Sequence, residues 1–301
     1  MHKNLISNDQ NDELPDLRTY MKDLRTLDKY KFTDHTNYQI YHIFYDLART
    51  IVASYYSMKP EHFNSIYFYR VRLNIDRNKE DLTLAQTYSY PPSVFCSTKG
   101  RANIEGKSVF YCSDNVETAI KEVKPKVGDE GYLSVWKGKA IRNLKIGQCL
   151  PPKLPLSNHW GEMAEKAFNY LLKATKNENK RNQLEELYKF VAHKFMTEKK
   201  PYHITSMISN ELLYNQLWRD FIIYPSYIDR GLTCNMAFHP NSVNENLKFE
   251  KIIEFKVVEL NDNQIVYNLG KKVGFIEKTQ MNWKDRSSNE TNLFKRQLET
   301  Y

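Results

Sequence analysis

The chain has no apolar run near the roughly 18 residues that crossing a bilayer requires. Its opening, Met1 to Asp16, lacks the apolar core of a secretory signal, so export is not expected. The four cysteines (Cys96, Cys112, Cys149 and Cys234) are widely spaced and form no CxxC or Cys/His cluster. That argues against a metal site and for free thiols in a reducing, cytoplasmic setting. His159, His193, His203 and His239 show no ligand spacing, and no carboxylate pair does either, so no metal is expected. No GxGxxG follows a strand-like run, which disfavours a Rossmann-type hydride-transfer site. Internal repeats and low-complexity domains are also missing.

What is present belongs to a globular protein. The 301 residues suffice for one large domain or two small ones. Hydrophobic residues at 41% and charged residues at 27% are ordinary for a folded chain. The aromatic share, with 21 Tyr, serves packed cores and stacking surfaces alike and does not choose between them. A formal net charge of +8 fits steering toward nucleic acid or an acidic partner, and equally a solvated lysine-rich surface.

Residues 1 to about 12 read as disordered by their polar composition. Leu17, Tyr20, Met21, Leu24 and Leu27 recur at helical spacing, and Tyr41 to Val52 form a second apolar face within 37–57. These two helices form an N-terminal helical region over 1–62. The run 65–74 alternates as a strand and places Arg70 and Arg72 on one face. Both arginines either face a polar cleft or lie on an edge in solvent. A loop follows over 75–99, in which Tyr88 and Tyr90 are candidates to flank an entrance. Strands are expected at 131–136 and 140–146 and helices at 161–173, from Leu184 on, and after Pro201. Phe221 to Ser226 re-enters a sheet, a strand-rich segment runs over 248–276, and the C-terminal tail over 281–301 is polar.

The stretch Gly100 to Val123, GRANIEGKSVFYCSDNVETAIKEV, spaces an arginine, a tyrosine and a glutamate ten and eleven residues apart: Arg101, Tyr111 and Glu122. Turn residues around Asn103 lead into a short buried strand, Ser108 to Cys112. Ser113 or Asp114 then caps a helix, with Asp114 and Glu117 at capping-box spacing. Taken singly, these residues have plainer readings: a solvated helix glutamate, a core tyrosine, a loop arginine and a turn asparagine.

Their order resembles the RES domain family, named for an arginine, a glutamate and a serine. GRxN, a strand ending in Tyr111 and the ETAxxEV run are joined by YFYRVR before them, and by Tyr224-Pro225-Ser226 and Asn235-Met236-Ala237 after them. The resemblance spans roughly 65–260. It implies an α/β (α+β) fold with an ADP-ribosyltransferase-like mixed sheet, an N-terminal helical cap and an inserted helical block near 160–220. The unit that cleaves NAD would span 63–280.

The resemblance further implies NAD as a substrate and rupture of its nicotinamide–ribose bond, with water or phosphate as acceptor. Glu122 would stabilise the ribose cation. Arg70, Arg72 and Arg101 are candidates for the diphosphate. Tyr111 would line the ribose or nicotinamide pocket, and Ser226 would hold the ribose or amide. Asn103 and Asn235 complete the implied set. A toxin-like role with a helix-turn-helix antitoxin as protein partner is implied too, although the added helices set this chain apart from compact members. Two rival readings are transfer of ADP-ribose to a macromolecule and a basic protein that binds single-stranded nucleic acid.

Overall fold

The computed structural model describes residues 14–215, 217–261, 265–277 and 280–288. The segment read as disordered, 1 to about 12, and the tail from 289 onward lie outside those residues. In chain order the elements are α1 (Leu17–Lys29), α2 (Asn37–Ala48), β1 (Tyr55–Met58), α3 (Pro60–Phe63), β2 (Tyr67–Leu73) and β3 (Phe110–Ser113). Then come α4 (Val116–Glu122), β4 (Glu130–Gly138), β5 (Leu144–Gln148), α5 (Gly161–Ala174), α6 (Glu178–Thr197) and α7 (His203–Leu213). The last group is β6 (Phe221–Pro225), β7 (Cys234–Phe238), α8 (Pro240–Asn246), β8 (Leu247–Leu260), β9 (Ile265–Glu277) and β10 (Gln280–Asp285).

All ten strands join one mixed sheet in the order β1-β5-β6-β7-β3-β2-β4-β8-β9-β10. Only β5 and β6 run parallel. Their connection contains α5, α6 and α7, as a parallel crossover needs room for helices. The mixed α/β class expected from the sequence is the observed one. β1 precedes residue 62 and β10 follows residue 280, yet both pair into this sheet.

The period-2 alternation of each strand divides the core between the two faces. On the first face Phe68, Phe110, Trp136, Phe221, Met236 and Phe238 pack with α3, α8 and the start of α5. On the second, Ile222, Tyr224 and Ala237 meet α1, α2, α6 and α7, while Tyr69, Val71 and Leu133 meet α4. The N-terminal helices are fastened to the inserted block by polar contacts as well. Gln183 Nε2 donates to the Pro15 carbonyl at 2.6 Å, and Lys194 Nζ reaches Asp28 Oδ1 at 2.7 Å.

Several boundaries differ from the sequence reading. The second helix stops at Ala48 because Arg49 turns left-handed (φ 60°) and its N–H caps the Tyr45 carbonyl. Tyr55 and Tyr56 beyond it then open edge strand β1 instead of continuing the helix. The cap of α4 is Asn115, whose side chain accepts from Thr118 N at 2.8 Å, not Ser113 or Asp114. Asp114 is used elsewhere: its Oδ2 accepts from Trp160 Nε1 at 2.8 Å and lies 2.6 Å from His159 Nε2. Tyr88 does not flank an entrance. It is buried against Tyr132 and donates to the Leu82 carbonyl, while Tyr90 reaches Asn244 Oδ1. The polar tail expected from 281 begins later, since Met281 is buried and β10 runs to Asp285.

The Asp114–His159 contact ties the β3–α4 corner to the start of α5 and makes stability depend on pH. The hydrogen bond to Asp114 raises the His159 pKa above its usual 6.5 against the opposing effect of burial. A raised histidine pKa contributes stability that is complete below the unfolded value and is lost as pH climbs through the folded one. Urea unfolding from about pH 6 to pH 8.5 should therefore show the wild type losing stability relative to His159→Ala as pH rises. Parallel curves would show that the pair contributes nothing.

Candidate active site

Helix α4 is short, so its orientation depends on side-chain anchors. Val116, Ala119 and Ile120 bury themselves against Tyr69, Val71 and Leu133. On another side, Thr118 Oγ1 contacts Asp229 Oδ2 at 2.6 Å and Thr233 Oγ1 at 2.9 Å. Both partners lie in the turn between β6 and β7. Glu122 is one helical turn past Thr118, at i+4, so the same anchor aims it at that turn.

Ser226 and Asn235 meet it there. Ser226 is fully buried, with its backbone N–H bonded to the Thr233 carbonyl at 3.0 Å. Its Oγ donates to Glu122 Oε1 at 2.8 Å. Asn235 on β7 donates from Nδ2 to the same oxygen at 2.6 Å. Both donors converge on Oε1 and neither bonds Oε2. An ionised carboxylate held this way is a strong acceptor pair and keeps one fixed orientation.

Register places the aromatic neighbours. Asn235 pairs with Tyr224 on β6 and with Ser113 on β3, and Tyr111 pairs with Ala237. Tyr224, Asn235 and Tyr111 therefore project from the second face on three adjacent strands. Burial, then the neighbouring Tyr111 and the charge of Glu122, push the Tyr224 phenol well above its usual range. Burial likewise raises Tyr111, so both remain protonated donors at neutral pH. Tyr111 donates its hydroxyl to Asn103 Oδ1 at 2.8 Å and accepts from Ala102 N at 2.7 Å. Asn103 donates its amide to the Ile104 and Thr98 carbonyls, so it positions Tyr111 and the loop.

Arg101 leaves that loop toward the inserted helices. Its guanidinium lies 4.8 Å over the Tyr202 ring, and Nη1 donates to the Phe195 carbonyl in the last turn of α6. Carbonyls at a helix C-terminus carry partial negative charge and suit an arginine. Phe195 in turn packs on Tyr224, with ring centroids 4.8 Å apart.

Arg70 and Arg72 do not join this cluster. Tyr69 pairs with Ser113, which puts Tyr69 on the second face and Arg70 on the first. There Arg70 lies 5.5 Å over the Phe110 ring and donates to the Tyr111 carbonyl at 3.1 Å, while its Nε is buried without a partner. Burial, reinforced by Arg72, lowers its pKa to about 10, which still leaves it charged near neutrality. Arg72 is committed elsewhere. Its fork grips Glu80 at 2.5 and 2.7 Å and the Thr87 carbonyl at 2.6 Å, pinning the loop that follows β2. Tyr224 and Tyr202 were missed in the sequence. Tyr224 could have been found as the residue two before Ser226, on the same strand face. Tyr202 carries no local signal, because only folding of the insertion brings it to Arg101.

Among the described residues no group of three His, Cys, Asp and Glu is placed to hold a metal ion. No described helix is long and apolar enough to cross a membrane. The model of one protein family, the RES domain, matches residues 68–249, a span that contains the whole Glu122 cluster. No curated protein matches the chain.

Gly100 shows how tightly the Tyr111 contacts are built. A Cβ at this position would lie 2.3 Å from Asn103 Oδ1 and 2.6 Å from the Tyr111 hydroxyl. Gly100→Ala should cost about 2 kcal/mol by overpacking, seen in urea unfolding, and should displace the Tyr111 ring. Full wild-type stability would mean the loop yields freely.

Proposed function

The chain belongs to the RES domain family, and on that premise we propose that it consumes NAD by breaking the nicotinamide–ribose bond beside Glu122. The observation that carries this reading is the carboxylate Oε1 held jointly by Ser226 and Asn235. As the bond from ribose C1′ to the pyridine nitrogen breaks, its electron pair leaves with neutral nicotinamide and positive charge builds on the ribose ring. A fixed, ionised carboxylate stabilises that charge most where it develops, and it needs no reorganisation to do so. Oε2, which neither Ser226 nor Asn235 engages, is the oxygen assigned to the ribose. An acceptor oxygen, from water or phosphate, then bonds C1′ and gives up its proton.

Arg101 is the arginine assigned to the diphosphate, since it shares the sheet face of Glu122 and presents a planar fork. Tyr111, whose hydroxyl is spent on Asn103, is assigned to offer its ring face beside Glu122, and Tyr224 its ring face and protonated hydroxyl. In this proposal Arg70 supports β3 from the opposite face, through the Tyr111 carbonyl. Residues 63–280 form the catalytic unit, with α5 to α7 as its insertion. Family membership supports a toxin-type role with an inhibitor protein over this site, acting in the cytoplasm.

Incubation with NAD should release nicotinamide. Glu122→Gln keeps the side-chain size and the Ser226 contact, so it should fold while turnover falls about 100-fold or more, the scale of losing an electrostatic group at a reacting centre. Undiminished turnover in that folded variant would remove Glu122 from the chemistry. Arg101→Ala should raise the NAD Kd about tenfold or more, measured by calorimetry; an unaltered Kd would place the diphosphate elsewhere. Running the release assay with and without phosphate, and searching for labelled macromolecules, separates the three acceptors.

A further inference from the structure

Two polar atoms beside Glu122 have no hydrogen-bond partner among the described residues: the Tyr224 hydroxyl and Asn235 Oδ1. Their residues are register partners on β6 and β7, so the side chains stand next to each other on the second face. Asn235 commits its Nδ2 to Glu122 Oε1 at 2.6 Å. An ionised carboxylate only accepts, so this amide cannot be turned the other way, and Oδ1 is left as a free acceptor. The Tyr224 hydroxyl is the complementary free donor. Both residues are buried, with Tyr224 at 4% and Asn235 at 7% exposure. Neither free atom is sealed from solvent, in contrast to the orphaned Arg70 Nε. A small molecule can therefore reach both.

Leaving a buried donor and a buried acceptor unmet costs free energy that a ligand recovers by meeting the two together. The charge of Glu122 acts on the Tyr224 phenol and helps keep it protonated, so the donor belongs to the surroundings of the acid. No hydrogen bond joins Tyr224 to Glu122. A donor beside an acceptor matches a group that carries an acceptor beside a donor, as a primary carboxamide does. Its carbonyl oxygen accepts from Tyr224, and its N–H donates to Asn235 Oδ1. A carboxylate in the same place has no hydrogen to donate. It also sets a negative charge against Asn235 Oδ1 and near Glu122.

We propose that Tyr224 and Asn235 read the carboxamide of the departing nicotinamide and make the site selective for NAD over its analogue that carries a pyridine-3-carboxylate. This deepens the proposed NAD reaction and rests on it, because the ring bonded to ribose C1′ is the group that leaves beside Glu122. No bond is made or broken at the amide. The two contacts hold the ring in one orientation while the bond from C1′ to its nitrogen breaks.

Tyr224→Phe removes a hydroxyl that no described residue uses, so urea unfolding should show stability equal to the wild type or higher. In the wild type, kcat/KM for NAD should exceed that for the carboxylate analogue about 100-fold or more, and the variant should shrink this ratio by about tenfold or more. NMR titration with nicotinamide and with nicotinate reads the same preference without turnover. Nicotinamide should bind the wild type about tenfold or more tighter, and Tyr224→Phe should remove most of that margin. Equal use of both dinucleotides, or a ratio unchanged in the variant, overturns the inference and leaves the NAD reaction standing. Amide-selective binding that the variant loses, without any NAD cleavage, overturns the reaction and leaves the carboxamide site standing. Absence of both overturns both. A variant less stable than the wild type would give the hydroxyl a structural role and overturn the inference as well.

Discussion

The structure depends on one oxygen atom, Glu122 Oε1, which accepts from Ser226 and Asn235 at once. The acid comes from a helix more than a hundred positions before the turn and the strand that supply its donors. Each donor would be an unmet polar group without the carboxylate, since Ser226 and Asn235 are both buried. The acid would in turn have no fixed direction without them. Two buried donors sharing one charged acceptor therefore lock α4, the β6–β7 turn and β7 in a single arrangement. The Thr118–Asp229–Thr233 contacts repeat that lock one helical turn earlier.

Around this point the sheet sorts charge by face. Glu122 and Arg101 lie on the helical side with Tyr111 and Tyr224, whereas Arg70 is buried on the other side under β3. The inserted block is more than a decoration of the sheet, because it supplies the Phe195 carbonyl and the Tyr202 ring that hold Arg101. The N-terminal segment braces that block through Gln183, Lys194 and the apolar layer they share. The end of α6 and the residue before α7 thus act on the same loop, 100–103. A change in how α6 and α7 pack would reach the arginine before it reached the acid.

Much of the architecture was legible because its signal is local. Helix periodicity located α1, α5, α6 and α7, alternation located β2, and the apolar run from Phe221 located β6, within a few residues. The errors also have local causes. A left-handed Arg49 ended α2 where the apolar pattern continued, and Asn115 outcompeted its neighbours as the cap because its side chain reaches Thr118 N. Arg70 and Arg72 do share a face, as their spacing requires, and Glu80 then took Arg72 out of contention through a pairing no pattern announces.

By itself the sequence determined the element types, the order of the arginine, tyrosine, glutamate and serine segments, and through that order the family. Those properties follow from side-chain spacing and short-range backbone preferences. Only the tertiary structure decided which polar groups share a partner. It chose the sheet face of each arginine and put Tyr224 and Tyr202 beside residues distant in the chain. Strand register and helix packing set those outcomes, and both are fixed by burial summed over the whole chain rather than by any stretch of it.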